Sequence, residues 1–417
     1  MKPTRKLIVI GGGAAGFFCA VNAALLSPQL EVTIVEKTAK LLSKVKISGG
    51  GRCNVTNACF AVADLVKKYP RGTQFLKKAF QQFNTNDTVS WFEQRGVSLK
   101  TEADGRMFPS TNVSQTIIDC LLAEASRLKV FIRMNAAVTG ITKESEAFTL
   151  SLYNGSTLQA DYVVIASGGF PKEQMFDWIK NTAHTVQPPV PSLFTFNIPK
   201  HKIVSLMGLS VAHATVKING TKLKETGAVL ITHWGLSGPA ILRLSAWGAR
   251  ELSNKNWQFE ISVNWLNDVK EEALRDIFLQ QRTQHGGQML AGKNIFGLPQ
   301  RLWEFLVAEA GAEQPTRWAD LSAKVQNKLI KNLCAYELSV SGKTTYKDEF
   351  VTAGGVTLGE VDANTCMSRI VPNLYFAGEI LDIDGITGGF NFQNAWTTGF
   401  IAAKAIAAAA LAPTDYL

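Results

Sequence analysis

Hydrophobic positions change their spacing twice within the first forty residues. "KLIVI" is a short apolar run of the kind a buried strand presents, "GGGAAG" interrupts it, and "FFCAVNAALL" reads as an apolar helix. "LEVTIVEK" supplies a second strand, so the pattern predicts a βαβ opening. From about Ala58 to Leu128 the spacing is helical: "FLKKAFQQF" and "DTVSWFEQRG" are amphipathic, and Gly96 is a plausible C-terminal stop. Around "EADGRMFPST" the chain turns. Beyond Val130 come strand-like runs, "VFIRMNAAV", "GITKES", "AFTLSLY" and "TLQADYVVIASGG", the last two joined by the hairpin dipeptide Asn154-Gly155. They predict a meander that returns to the main sheet.

The proline cluster "QPPVPS", Gln187 to Ser192, marks a domain boundary, after which short alternating strands such as "VAHATVKING" and "GAVLITHWG" begin. Residues 267–333 read as helices broken by "QHGGQ" and "GAEQPT", and "ELSVSG" and "FVTAGGV" lead back into strands. The final "NLYFAGE" is an apolar strand, followed by the loop "ILDIDGITGGF" and a helix from about Asn391. The expected organisation is a first domain over 1–190 that resumes at 347–417. A β-rich insertion occupies 191–266 and 334–346, and a helical subdomain occupies 267–333. The fold class is α/β with a discontinuous Rossmann-like domain.

A chain of 417 residues with 46% hydrophobic and 18% charged residues is globular rather than disordered. The run "GFIAAKAIAAAALA" is too short for a bilayer and carries Lys404, so no membrane partner is expected. Three glycines break the apolar N-terminal stretch, and no signal peptide is expected. Six scattered cysteines without a CxxC pair fit a reducing cytoplasm and give no metal site. The net charge of +9 is diffuse but uneven, with 17 Lys and Arg against 12 Asp and Glu between Pro191 and Gly342. No basic block marks a nucleic-acid surface, so the expected partner is a small molecule rather than nucleic acid. Oligomeric state is not legible in the sequence.

Gly11, Gly13 and Gly16 form G-x-G-x-x-G between a strand and a helix, and Glu36 ends the next strand twenty residues on. Gly11 suits the tight turn, Gly13 lets the backbone approach a pyrophosphate, and Gly16 permits close helix packing. The helix N-terminus attracts phosphate, and Glu36 suits an adenosine ribose without a 2′-phosphate. Ala14, Ala15 and Lys37 are neighbouring contact candidates. The run "KISGGGRCNVTN", Lys46 to Asn57, offers bare backbone to a planar ligand, with polar side chains at Arg52, Asn54 and Asn57. Taken alone, it is equally a flexible loop.

Together with "THWGLSGPAIL" and "NLYFAGEILDIDGITGGFNFQNAWTTG", these motifs closely resemble the BaiN-like (YhiN-like) family of flavoproteins over nearly the whole chain. The resemblance implies FAD as cofactor, held by a discontinuous Rossmann-like domain. It implies that Lys46, Ser48, Gly49, Gly50, Gly51, Arg52, Cys53 and Asn54 run along the flavin. "VVIASGG" resembles a strand-end motif that elsewhere reads Ala-Thr-Gly, which assigns backbone contacts to Ala166 and Gly168 and leaves Ser167 where a threonine is usual. Gly378 and Glu379 resemble the Gly-Asp ending used on the ribityl chain, while Asp382 and Asp384 read as solvated. Gly388, Gly389, Phe390, Asn391 and Gln393 open a helix whose positive end would face the flavin pyrimidine ring.

Two residues are candidates for chemistry. Cys53 is a flavin-adjacent thiol that Arg52 could hold as a thiolate, against the alternative of a small packed residue. His233 is a candidate proton donor, against the alternative of a structural loop histidine. The expected activity is FAD-dependent oxidoreduction of a small organic molecule by hydride transfer through flavin N5, as either NAD(P)H-linked reduction or amine-type oxidation. NAD(P)H would be a transient electron donor, because no second G-x-G-x-x-G builds a nicotinamide domain. The alternatives are an RNA-modifying flavoprotein and an electron carrier for a protein partner.

Overall fold

The computed structural model describes residues 4–292, 294–313, 315–344 and 351–412. The chain divides into two compact units, Met1–Pro191 with Lys347–Leu417, and Ser192–Tyr346. The boundary expected between 346 and 347 lies outside the described residues.

In the first unit, β1 (Lys6–Ile10), α1 (Ala14–Leu26) and β2 (Glu31–Val35) form the predicted βαβ opening. Three later strands complete a parallel sheet: β3 (Phe131–Arg133), β4 (Tyr162–Ile165) and β5 (Leu374–Phe376). The order is β5-β4-β1-β2-β3. Residues of β1 and β4 are almost entirely buried, which explains why they read as unbroken apolar runs. The Asn154-Gly155 turn closes strands Ala147–Leu152 and Thr157–Ala160, which join Val138–Glu144 in a separate three-stranded antiparallel sheet. The meander reaches the main sheet only at its ends, in β3 and β4.

The last helix, α2 (Phe390–Leu411), packs against α1 at close range. A Cβ on Gly399 would lie 2.8 Å from the Ala15 carbonyl oxygen, so the two helices approach backbone to backbone there. Around the crossing, Phe18 meets the rings of Phe83, Trp91, Phe92 and Trp396. The buried indoles keep partners: Trp91 donates to Asn22 Oδ1 at 3.0 Å and Trp396 to the Val55 carbonyl at 2.9 Å. No described helix is long and apolar enough to cross a membrane.

The second unit is a seven-stranded sheet whose central pairs are antiparallel, from Gln258–Asn264 through Ser210–Ile218 and Lys224–Thr232 to Gly235–Ser237. Alternate strand residues, among them Ala214, Val216, Ile218, Ile261 and Val263, enter one core with helix Pro239–Asn254. Helices Glu271–His285, Gln300–Ala310 and Ala323–Cys334 contribute Phe278, Trp303 and Leu329 to the same core. The helical segment thus shares its interior with the β-rich part.

Candidate functional site

The candidate site in the first unit is built on the carboxyl ends of neighbouring parallel strands. Gly11 follows β1 with φ +114°, and a Cβ there would sit 2.4 Å from the Ala166 carbonyl oxygen at the end of β4. Gly16 is tighter still, with a Cβ position 1.9 Å from the Gly11 carbonyl oxygen, so glycine closes the turn against the first coil of α1. Gly13 differs: nothing lies within 4 Å of its Cβ position, leaving open space over the N-terminus of α1. Glu36 is braced on this turn, with Oε2 accepting from the Gly12 amide at 2.9 Å and Oε1 accepting from the Thr38 amide and hydroxyl, each at 2.9 Å. Its remaining lone pairs suit a ribose diol. Ala14 is half-buried in this opening, whereas the buried Ala15 side chain faces Gly378. Lys37 is exposed, with Nζ 5.5 Å from the Phe170 ring centre.

The glycine run forms a kinked helix end rather than a loose loop. After Ser48 turns extended at ψ 149°, Gly49, Gly50, Gly51 and Cys53 all take left-handed φ, between 59° and 84°. Above Gly50 and Gly51 no atom approaches within 4 Å of a Cβ position, so this backbone is open to a flat ligand. Lys46 is exposed, and its carbonyl accepts from the Ser114 hydroxyl at 2.8 Å. The polar side chains are occupied by the protein itself. Arg52 donates to Glu102 Oε1 at 2.6 Å and to the Gly49 carbonyl at 3.3 Å, and its guanidinium stacks 4.0 Å from the Phe108 ring centre. Asn54 accepts from the Gly389 amide at 2.9 Å and donates to the Thr56 carbonyl at 3.0 Å. Both side chains brace the run, and its backbone is what a ligand would meet.

Cys53 is fully buried, and desolvation pushes its thiol up to about 12. Arg52 is committed to Glu102, and desolvation outweighs the hydrogen bond from Ser48 that favours the thiolate, which supports the packing alternative for Cys53.

At the ends of β4 and β5 the site continues. Ala166 donates its amide to the Ile10 carbonyl at 2.8 Å, and Gly168 is left-handed at φ +75°. Gly378, at φ +78°, donates to Thr398 Oγ1 at 2.8 Å. Glu379 accepts from Lys44 Nζ at 2.5 Å and from the Thr352 amide at 2.9 Å. The Ser167 and Thr352 hydroxyl oxygens are buried without a hydrogen-bond partner among the described residues. No motif marks Lys44 or Thr352, which reach Glu379 from other segments of the chain.

The start of α2 requires three further corrections. Gln393 is fully buried: Oε1 accepts from Thr56 at 2.6 Å and Thr88 at 3.0 Å, and Nε2 donates to Thr397 at 3.1 Å, so its side chain belongs to the core. Asn391 folds onto the loop, with Oδ1 accepting from the Gly385 amide at 2.8 Å and Nδ2 donating to its carbonyl at 2.9 Å. Asp384, read as solvated, is fully buried in a bidentate pair with Arg71. Gly388 and Gly389 are left-handed at φ +124° and +92°, and Phe390 is buried against Tyr69. This start therefore offers a ligand its backbone amides, the orphan donors of a helix N-terminus.

His233 belongs to the second unit. Thr232 pairs with Gly235, which places His233 and Trp234 as a two-residue hairpin turn. His233 is exposed there, its ring centre 3.7 Å from that of Trp234.

In strand order, the first unit presents a carboxylate at β2, an open glycine turn at β1, and a second carboxylate beside β4 and β5. That sequence of groups fits a dinucleotide, and the left-handed glycine run fits its planar end. The open Cβ positions of Gly13, Gly50 and Gly51 leave the space that an FAD would fill.

Comparison with known proteins agrees with this reading. The family model described as "HI0933-like protein Rossmann domain" matches residues 5–405. A ribosomal RNA dihydrouridine synthase of Escherichia coli is 31% identical over 412 residues, 96% of this chain and 98% of that one. A 3-dehydro-bile acid delta(4,6)-reductase of Clostridium scindens is 27% identical over 419 residues, 97% of this chain and 99% of that one. Among solved structures, a 3-ketosteroid-delta4-(5alpha)-dehydrogenase of Rhodococcus jostii shares the fold with a TM-score of 0.50 at 12% identity, covering 96% of this chain and 97% of that one.

Proposed function

Because the chain belongs to the HI0933-like Rossmann-domain family, the BaiN-like flavoproteins, and is an FAD-dependent oxidoreductase, we propose that it reduces a C=C bond conjugated to a carbonyl. The observation that carries this reading is that two full-length relatives with unlike substrates are named for one kind of bond change. Dihydrouridine is uridine with a ring C=C next to a carbonyl saturated, and delta(4,6) bonds beside a 3-keto group are conjugated in the same way.

FAD held in the site would supply hydride to the β-carbon of the conjugated bond, with NAD(P)H as the proposed source of its electrons and a proton added at the α-carbon. The chain's own part is to bind and orient. Glu36 holds the adenosine ribose, and the Gly11 to Gly16 turn receives the pyrophosphate. The backbone of Ser48 to Gly51 lies along the flavin, and the amides opening α2 favour negative charge on the reduced ring. Buried Cys53 stays a neutral thiol. His233 is the candidate proton source, and unchanged turnover in H233A would remove it.

Two substrate classes fit this bond. A small conjugated ketone is the first. The second, a uracil in ribosomal RNA, is favoured by the 31% identity to the dihydrouridine synthase and by the surplus of positive charge. The test is anaerobic: holoprotein is bleached with NADH or NADPH, then mixed with a 3-keto-Δ4,6 steroid or with ribosomal RNA lacking dihydrouridine. Flavin reoxidation by the steroid supports the first class, and a gain of 2 mass units on an RNA uridine supports the second. No bleaching by either nicotinamide, with bleaching by an amine and peroxide formed in air, would overturn the reductase reading.

A further inference from the structure

The glycine run leaves the flavin end of the site through Asn57, whose Nδ2 donates to the Gly388 carbonyl at 3.0 Å. The segment that follows, 58–83, carries Lys67, Lys68, Arg71, Lys77 and Lys78 against a single acid, Asp64. Arg71 is spent inside the fold on Asp384, and Lys67 meets Asp64 at 2.9 Å. Lys68, Lys77 and Lys78 have no ion pair among the described residues. In the sequence the lysines stand as two separated pairs, so they form no basic block. The fold joins them, because the turn Val66–Lys68 packs against the helix Thr73–Ala79. Lys404 of α2 adds a cation at the end of that helix, its Nζ 3.4 Å from Gln82 Oε1. Phe60, shortly beyond Asn57, is exposed, and its neighbour Cys59 lies within electrostatic reach of Lys67 and Lys68.

This basic segment is fastened to the loop that opens α2. The Tyr69 hydroxyl donates to the Phe390 carbonyl at 2.7 Å, the Ile386 amide to the Lys68 carbonyl at 2.9 Å, and a Cβ on Gly72 would lie 2.6 Å from Ile383. It is therefore the rim of the site at its flavin end. Lysines gathered without counter-charges attract a polyanion, and an exposed phenyl ring beside them suits an unstacked base. A uracil within folded RNA meets a flavin only when it is turned out of its stack, so the strand on either side of it has to be gripped at such a rim.

We propose that segment 58–83 is an RNA-docking surface, on which Lys68, Lys77 and Lys78 hold phosphates of the strand flanking the target uracil and Phe60 stacks on one of its bases. This rests on the ribosomal-RNA reading of the substrate.

Binding of the holoprotein to ribosomal RNA lacking dihydrouridine, measured across a salt series, tests it, with flavin content and melting midpoint followed alongside. The triple variant K68Q/K77Q/K78Q loses three phosphate contacts, so its plot of log affinity against log salt should be shallower by about 2, and its affinity at about 0.1 M salt should fall about 100-fold. Phe60→Leu should weaken binding about tenfold and leave the salt slope unchanged, as for one lost stacking contact. Flavin content and melting midpoint should match the wild type in both variants, because these side chains lie outside the cofactor cradle. Wild-type affinity and slope in the triple variant overturn the proposal. So does tighter binding to phosphatidylglycerol vesicles than to RNA, which would assign the surface to an anionic membrane. If the wild-type holoprotein shows no salt-dependent binding to this RNA yet is reoxidised by the conjugated ketone, the RNA reading itself fails and takes this inference with it.

Discussion

Replacing Arg71 by methionine should loosen the loop that presents the glycines before α2. Arg71 and Asp384 form a bidentate pair with side-chain exposures of 10% and 0%, and their backbones form an antiparallel bridge. Beside them the Tyr69 hydroxyl donates to the Phe390 carbonyl at 2.7 Å, and the Ile386 amide donates to Lys68. Segment 68–72 therefore clamps 383–390. Removing the guanidinium leaves a carboxylate buried without it, which costs about 3–5 kcal/mol, against about 0–1 for an exposed pair. Because two units need not unfold together, one melting curve does not isolate this energy. Hydrogen exchange of peptides covering 383–400 does, and the expected loss is about 10²- to 10⁴-fold in protection. The double variant R71M/D384L removes both charges and should recover at least half of the loss, since an apolar pair of similar size is often neutral. A loss below about fivefold in R71M would refute the reasoning, because it would place the pair among solvated ones.

Gly399→Ala adds a Cβ 2.8 Å from the Ala15 carbonyl and 3.3 Å from the Cys19 amide nitrogen, backbone atoms that cannot swing aside. It should cost about 1–3 kcal/mol despite the better helix propensity of alanine, read as a lower unfolding midpoint. His184 is 3% exposed between the Thr182 and Ser368 hydroxyls at 2.8 and 2.7 Å, and burial lowers its pKa. The unfolded chain therefore binds the proton first as pH falls below about 6.5, so stability declines from there down to the depressed native pKa; H184Q should flatten that decline in pH-dependent denaturant titrations. Cys53→Ser should leave turnover and the flavin spectrum unchanged, and loss of turnover without loss of flavin would restore a redox role.

The positions where sequence reading succeeded are those with local causes. The strand, glycine turn and helix from Lys6 to Leu26 follow from hydrophobic spacing and the φ freedom of Gly11, and Asn154-Gly155 closes a hairpin for a similar reason. Glu36 was legible because a βαβ unit fixes its distance from the turn. Gly49, Gly50 and Gly51 all take left-handed φ, a local backbone demand that the glycine run made legible. Where a polar side chain would point was not legible, since Gln393 and Asn391 sit in the same motif as the glycines yet turn to the core and to their own loop.

The sequence alone determined local conformation, because that depends on residues within a few dozen positions of one another, while the cofactor was implied by a resemblance that runs over nearly the whole chain. The tertiary structure alone decided which polar groups are already satisfied. Lys44 meets Glu379 across 335 residues and Arg71 meets Asp384 across 313, whereas the Ser167 and Thr352 hydroxyls are left without a partner. The physical reason is that a hydrogen bond or ion pair is set by proximity in space, and the folded sheet brings together strand ends that the chain keeps far apart.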